Sequence, residues 1–598
     1  MVTLLLSTSV DDHGLSAISR GDIEADALPD GVGLFHVVAE GARLRPARAV
    51  LCRHTGTRWV DVDFARFHSN VVEFAEFLLG AGVEHGDRVA VLGRNSYEWV
   101  VLDYAVLSIG AIVVPVYPTA SEQQIAHLLA DSGAVYGFAE TAEQRELLSR
   151  LGSPRWRMPV RLLTDPPVRP DTAPARSFAE RSAAVRADDI ATIVYTSGTT
   201  GMPKGCVLTH RNMFASSGNT VRHLPELFRA EDAATLLALP LSHIFGRTVL
   251  LACLHGGTRT RLLAGIPDLL DALPEFRPTF LALVPYALEK IRKRCRVAIG
   301  AEADQVAVEY GRALFEADAV DPELAAAHRA HHDFEFAAVR EIFGGRCRHV
   351  VSGGASLDAT TDAYYAGVGI QILGAYGLTE SATAVTINQV HANRHGSVGR
   401  PVPGTTVAIA ADGEVLVAGA NTSPGYWPTG ATVAETILRT GDLGRLDEDG
   451  YLYITGRRKE ILVTNGGKNV APTPLEDRVR LHPLVSNCIV LGEARSYVTA
   501  LVTLDPVALE SWARDREPAV PPQEWTSHPE VVAAVATAIE EANGLVSQAE
   551  SIREFRVVSR DFTVDNGQLT PSLKLRRAVI EQAYAADIAA LYAPRPSA

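Results

Sequence analysis

The chain has 598 residues, 47% of them hydrophobic and 21% charged, with a formal net charge of −14. That is ordinary globular composition and more chain than one core normally needs, so at least two domains are expected. The acidic balance argues against a nucleic-acid partner with a broad basic face; a phosphate-rich small ligand, which needs only local positive charge, stays open.

The N-terminus carries a brief Leu4-Leu5-Leu6 run without a basic leader, and Asp11 and Asp12 follow, which does not read as a secretory signal. From about residue 31 to 440, strand-like apolar runs alternate with helical patterns, such as a strand over 88–92 and a helix over 96–108. This alternation predicts α/β layers with largely parallel sheets. The most apolar run, 104–116, contains Gly110 and is broken by Pro115. It is too short to span a membrane and predicts a buried strand or helix pair. The Ala- and Glu-rich stretch 292–339, interrupted by Pro322, predicts helices decorating the large domain. Over 413–453, short strands punctuated by Asp412-Gly413 and Asp449-Gly450 predict hairpins or a small barrel. Beyond Arg457 the pattern becomes α+β, with strands over 488–492 and 498–504 and helices over 530–544 and 573–592. The last of these is expected to open with Thr570-Pro571, an N-cap followed by proline. The expected organisation is a large N-terminal domain, 1–457, of layered sheets and helices with a small β-barrel-like subdomain, and a small mobile α+β C-terminal domain, 458–598.

Six cysteines (Cys52, Cys206, Cys253, Cys295, Cys347, Cys488) lack CxxC spacing. They read as reduced thiols of a cytoplasmic protein, not as staples or metal ligands. The three histidines His328, His331 and His332 sit in an Ala-rich helical context that predicts a solvated face rather than a metal site.

The most informative segment is Tyr195-Thr196-Ser197-Gly198-Thr199-Thr200-Gly201-Met202-Pro203-Lys204-Gly205, which follows an apolar strand. Glycines let a backbone fold back and aim N–H groups at one point, while the hydroxyls and the lysine supply donors for phosphate oxygens. No Gly-Lys-Ser/Thr triplet sits at the Walker A offset, and neither GxGxxG nor GxSxG occurs.

This segment resembles the phosphate-binding signature of the adenylate-forming (AMP-binding) superfamily, which includes acyl-CoA synthetases, luciferases and nonribosomal adenylation domains. Further segments resemble that family's motifs in order. They are Leu239 through Arg247 for the acyl pocket, Ser352-Gly353-Gly354-Ala355 and Ala375-Tyr376-Gly377-Leu378-Thr379-Glu380 for adenine and magnesium, and Arg439-Thr440-Gly441-Asp442 for ribose. Gly456 through Glu460 resembles the hinge, and Leu569 through Lys574 the C-terminal catalytic-lysine motif. Val116-Tyr117-Pro118-Thr119 and Gly466 through Pro472 are similar in style to long-chain fatty-acyl-CoA synthetases. The chain departs from the family pattern between Tyr426 and Arg439, where it is short, and at Ala418, which stands where a basic residue is common.

The resemblance implies an ATP-dependent acid:CoA ligase acting on a fatty or other hydrophobic carboxylic acid, with ATP, Mg²⁺ and coenzyme A. It implies Lys574, Glu380, Thr379 and Lys204 as catalytic, with Glu380 as the Mg²⁺ ligand. Thr196, Ser197, Gly198, Thr199, Thr200, Gly201, Gly353, Gly354, Ala375, Tyr376, Gly377, Asp442 and Arg457 would bind ATP or AMP, Asp442 through the ribose hydroxyls. Lys459 would be the hinge, and Gly466, Gly467 and Lys468 would line the CoA passage. His243, Phe245, Val284 and Gly374 would shape the acyl pocket. Arg458, Arg576 and Arg577 are further basic groups expected near phosphates. An acyl carrier protein ranks behind CoA as acceptor, and peripheral membrane contact stays open for a lipid-handling enzyme. Rival readings are a biosynthetic ligase for a polyketide- or terpene-derived acid, an enzyme of only one half-reaction, and a non-catalytic nucleotide sensor.

Overall fold

The computed structural model describes residues 15–593 except 23, 153, 169–175, 197–201, 317–318, 429–436, 515–520, 565 and 571–573. A seven-stranded sheet runs in the spatial order Gly425–Tyr426, Lys204–Thr209, Ile190–Thr196, Ile112–Val116, Arg88–Leu92, Tyr136–Ala139 and Arg161–Leu162. Its pairings are parallel except at the end carrying Lys204–Thr209, whose two neighbours both run antiparallel to it. Strands covered on both faces need continuous apolar sequence, and Ile112–Val116 is buried at every residue.

Helices cover the sheet according to their patterns. Phe64–Gly80 starts where Asp63 accepts from the Arg66 N–H at 2.8 Å, and it buries the stripe Phe67, Val71, Phe74, Ala75 and Leu78. Tyr97–Ser108, capped by Ser96, is apolar around nearly its whole circumference and is buried at every residue but Glu98. The predicted buried pair over 104–116 is therefore the end of this helix and the next strand.

A second layer holds the parallel strands Phe280–Leu283, His349–Ser352 and Gln371–Leu378, followed by antiparallel Thr383–Ile387 and Arg400–Pro401. The 292–339 stretch forms the helices Pro285–Glu316, bent at Gly300, then Pro322–His332 and Glu335–Ile342. Pro322 begins a helix capped by Asp321. His328 corrects the expectation of a solvated face: it is buried, stacks on Tyr310 with centroids 3.6 Å apart and shares a 2.7 Å hydrogen bond with the Gly367 carbonyl. The turn-rich stretch becomes a five-stranded antiparallel sheet in the order Leu15–Arg20, Thr405–Ala410, Glu414–Gly419, Leu438–Leu446 and Leu452–Arg457.

After Arg457 a separate apolar core forms. Val485–Leu491 and Val498–Leu504 are buried at every position, and Ile552–Val558 runs parallel to the second of them. The helices Pro472–Arg480 and Pro529–Asn543 add Leu475, Val479, Val531 and Val535 to this core. The predicted helix over 573–592 is corrected. It is two short helices, Arg577–Ala583 and Ala585–Leu591, and Lys574 precedes both. The Thr570 N–H donates to the Lys574 carbonyl at 2.8 Å, the Lys574 N–H donates to Thr570 Oγ1 at 3.0 Å, and Leu569 bridges Leu575. A threonine hydroxyl and a β-bridge thus take the backbone groups that a helix would have used.

A polar seam joins this core to the large layers. Arg480 bonds Asp477 at 2.8 Å and Glu289 at 3.4 Å, and the Ser356 hydroxyl donates to Asp477. Lys293 donates to the Val485 carbonyl at 2.5 Å, and Arg478 to Thr360 Oγ1 at 3.0 Å. Burial, with Glu289 adding like charge, pushes Asp477 up to about 7 against the pull of Arg480. Burial brings Lys293 down to about 8. Among the described residues, no helix is long and apolar enough to cross a membrane.

Candidate active site

The register Thr196↔Lys204 between strands Ile190–Thr196 and Lys204–Thr209 closes the Gly-, Ser- and Thr-rich loop at its base. Ser197, Gly198, Thr199, Thr200 and Gly201 lie outside the described residues. The loop's flanks are pinned: His127 Nε2 bonds the Pro203 carbonyl at 2.9 Å, and Tyr195 Oη donates to Asp131 at 2.6 Å. Lys204 stands exposed at this base.

Across the cleft, strand Gln371–Leu378 pairs in parallel with His349–Ser352 as far as Gly374 and antiparallel with Thr383–Ile387 from Ala375 onward. The carboxyl end of strand His349–Ser352 therefore lies beside the point where Gln371–Leu378 runs on past it. Gly353 and Gly354 occupy that end, with Gly354 at φ +89° and open space beside it. Gly377 has no alternative, because a Cβ there would lie 1.3 Å from the Thr383 carbonyl oxygen. The turn Thr379–Ser381 presents Glu380 and buries Thr379. Ala382 and Thr383 follow at φ 49° and 86°. Left-handed conformations in such residues cost about 1–3 kcal/mol each and cluster where a side chain must be aimed.

Asp442 and Arg457 face each other on adjacent strands. Arg457 Nε donates to Asp442 Oδ1 at 2.7 Å, and Tyr376 Oη donates to Oδ2 at 2.7 Å. Burial and the neighbouring carboxylate raise the Tyr376 phenol well above its ordinary pKa, so it stays a donor. The expectation for Asp442 is refined accordingly. Both its oxygens already accept from the chain, so ribose hydroxyls would use the remaining lone pairs of an oriented carboxylate.

Lys574 reaches this same cleft from the small core. Its pKa is lowered, chiefly by the protein crowding its ammonium and next by the charge of Arg457, while Glu460, Asp442 and Glu380 pull the other way. The residue keeps solvent-accessible surface. His243 senses it too: burial and then the Lys574 charge bring that imidazole down to about 4, so it is neutral at pH 7. His243 caps helix Ile244–Gly256 by accepting from the Phe245 N–H at 3.1 Å, with its ring 6.4 Å from that of Tyr117. Phe245, Val284 and Gly374 are partly buried nearby in the sequence motifs that predicted them.

The family model "AMP-binding enzyme" matches residues 38–427, and "AMP-binding enzyme C-terminal domain" matches residues 459–595. A Mycobacterium bovis protein named long-chain-fatty-acid–CoA ligase FadD15 is 38% identical over 93% of this chain and 96% of its own. The chain belongs to the AMP-binding enzyme family. Two solved structures share the fold of this AMP-binding enzyme. The anthranilate CoA ligase AuaEII with anthranoyl-AMP has a TM-score of 0.70 at 20% identity, covering 94% of this chain and 99% of that one. The Bacillus subtilis o-succinylbenzoate CoA synthetase with ATP and magnesium has 0.65 at 21%, covering 91% and 98%.

The AMP-binding enzyme's remaining predicted residues separate into two groups. Lys459 lies in the turn Arg458–Glu460 that leads from the last strand of the five-stranded sheet into the small core. Gly466, Gly467 and Lys468 form the turn of hairpin Leu462–Val463/Asn469–Val470, where Lys468 lies 3.7 Å from Glu550 and the Asn465 N–H donates to the Arg495 carbonyl. These partners all belong to the small core, so the structure does not bring the hairpin to the cleft. Three basic residues expected near phosphates are corrected. Arg458 pairs with Asp412 at 2.6 Å, Arg577 makes two 2.7 Å bonds to buried Glu476, and Arg576 donates to the Gly567 carbonyl. Arg247 of the acyl-pocket motif is also internal, bonded to Asp103 at 2.5 Å and to Thr192 at 2.7 Å.

For a divalent cation, the Glu380 carboxylate on the turn Thr379–Ser381 is a hard oxygen donor. That suits Mg²⁺, which binds through one or two carboxylates together with substrate phosphates. Among the described residues, no group of three His, Cys, Asp or Glu side chains could hold an ion alone. Sequence reasoning missed Tyr426. Its hydroxyl donates to Glu380, and its ring lies 5.9 Å from Lys204 Nζ. The only signal was the Gly425-Tyr426-Trp427 triplet in a stretch read as shortened.

Proposed function

We propose that this chain activates a fatty or other hydrophobic carboxylic acid as acyl-AMP and passes the acyl group to CoA. It is an ATP-dependent acid:CoA ligase, an acyl-CoA synthetase. What supports the reading is that Lys574, from the C-terminal core, lies within electrostatic reach of Glu380, Asp442, Arg457 and His243.

In the first half-reaction the acid's carboxylate oxygen bonds to the α-phosphorus, the α–β phosphoanhydride bond breaks and pyrophosphate leaves. Little proton chemistry is needed, so positioning and charge neutralisation dominate. Lys204 and the Thr196–Gly201 loop steady the triphosphate, and Asp442 with Arg457 orients the ribose. Lys574 draws carboxylate and α-phosphate together, and a cation in a crowded cleft attracts anions more strongly than one in water. Neutral His243 leaves the substrate carboxylate free to attack. Mg²⁺, when bound at Glu380, neutralises phosphate charge. In the second half-reaction the CoA sulfur bonds to the acyl carbonyl carbon and AMP leaves.

The domain boundary falls near Arg457–Lys459. Rotation about Lys459 would withdraw Lys574 and bring the Gly466–Lys468 hairpin to the cleft. CoA is the acceptor, ahead of a carrier protein. All six cysteines are free and buried, which fits a reducing cytoplasm. The relatives' name favours a long-chain acid. An acid panel scored by mass spectrometry for acyl-AMP and acyl-CoA separately tests the reading. Both products are expected from a hydrophobic acid, and ATP left intact with every acid would refute it.

A further inference from the structure

Tyr426 lies more than two hundred positions from Lys204 in sequence, yet it touches both charges that the proposed function assigns to Mg·ATP. It belongs to a two-residue strand at the edge of the seven-stranded sheet, with Gly425 opposite Val207 and Tyr426 opposite Cys206. Further bonds fix that strand. The Ser423 N–H donates to the Glu380 carbonyl at 2.8 Å, and Ser423 Oγ donates to the Val207 carbonyl at 2.7 Å. The Trp427 N–H donates to the Gly205 carbonyl at 2.8 Å, and its indole N–H to the Asp131 carbonyl at 2.9 Å. The backbone on either side of the tyrosine is thus tied both to the Lys204 strand and to the Glu380 turn.

Between these ties the side chain separates two opposite charges. Its hydroxyl engages Glu380 Oε1, its ring stands beside Lys204 Nζ, and no ion pair closes between Lys204 and Glu380. A lysine and a glutamate free to meet would compete for each other with an incoming phosphate and cation. With one carboxylate oxygen held by the phenol, the other is left to bind a cation.

We propose that Tyr426 is a positioning residue that keeps Glu380 and Lys204 apart and oriented, its hydroxyl governing the metal side and its ring the phosphate side. The proposal rests on Glu380 as the Mg²⁺ ligand. Groups that orient a metal ligand typically change metal affinity by one to two orders of magnitude when removed.

The test uses the full-length enzyme and a non-hydrolysable ATP analogue, with binding followed by calorimetry across a Mg²⁺ series. Tyr426→Phe keeps the ring and the strand but loses the hydroxyl, and it is expected to raise the half-saturating Mg²⁺ about tenfold. Tyr426→Gln keeps a donor but loses the ring. It is expected to hold Mg²⁺ dependence within about twofold of wild type and to weaken the analogue measured without metal. Under saturating Mg·ATP, the KM for the acid should stay unchanged in both. Equal Mg²⁺ shifts in the two variants, no shift in Tyr426→Phe, or tighter Mg²⁺ binding there would overturn the proposal. Glu380→Gln separates the two levels. If it also leaves the Mg²⁺ response unchanged, the metal role of Glu380 fails; if it alone shifts the response, only the role of Tyr426 fails.

Discussion

Two clusters of charge involve residues of the small C-terminal core, and they are built on opposite terms. In the seam, Arg480, Asp477 and Glu289 keep only 15%, 9% and 4% of their side-chain surface exposed, and each is bonded to another member. In the cleft, the Asp442–Arg457 pair is likewise satisfied, but Lys204 and Lys574 have no ion pair among the described residues, and Glu380 is met by a neutral phenol. Charges that satisfy each other hold two parts of a chain in register and have nothing left for a ligand. Charges held near one another without pairing keep their field for an incoming phosphate and carboxylate. The seam therefore ties the core that carries Lys574 to the large layers, and the proposed function puts that lysine to use in the cleft.

Substitutions in the two clusters should differ in kind. The largest effect is expected for Arg480→Ala, which strands Glu289 and Asp477 as buried, uncompensated carboxyls. A loss of about 3–5 kcal/mol should appear in denaturant unfolding. Lys204→Ala should instead leave the melting temperature unchanged while slowing acid-dependent pyrophosphate release by about two to three orders of magnitude. A large loss of stability there would erase the contrast. Asp442→Asn removes the carboxylate charge facing Arg457 and Tyr376, and should raise the KM for ATP about tenfold while sparing the KM for the acid. The smallest effect is one of pH. Asp477 titrates near 7 in the folded chain against a normal value of 3.8, so the native state binds that proton more tightly. Its stabilising contribution is therefore complete at low pH and is lost as pH rises through about 7. Lys293, brought down to about 8, acts mainly above that window. The melting temperature should fall by about 2 °C between pH 6 and pH 8, and Asp477→Asn should flatten that slope.

Only the loop after strand Ile190–Thr196, with its glycines, hydroxyls and lysine, declared its chemistry in local spacing; the other cleft residues were expected from the ordered motifs that resemble the family. Tyr426 was not legible, since its role depends on a two-residue strand that pairs with residues 206 and 207. The seam was hidden for another reason: Glu289, Asp477 and Arg480 lie on helices whose charged positions read as solvated faces until the two cores are placed together. The strands over 88–92 and 498–504 were readable from apolar runs alone. The terminal helix was misread because Thr570-Pro571 imitates a helix start, whereas the Thr570 hydroxyl caps the Lys574 N–H inside a loop. Arg577 looked like a phosphate ligand in a basic run, yet it is spent on Glu476.

The proposed adenylation role of Lys574 is tested most directly by acid-dependent ATP–pyrophosphate exchange in wild type and Lys574→Ala, alongside acyl-CoA formation from supplied acyl-AMP. Exchange should collapse in the variant by about two orders of magnitude or more, while thioester formation from the ready-made adenylate persists. Exchange at the wild-type rate in Lys574→Ala would contradict the placement of that lysine at the site of adenylation.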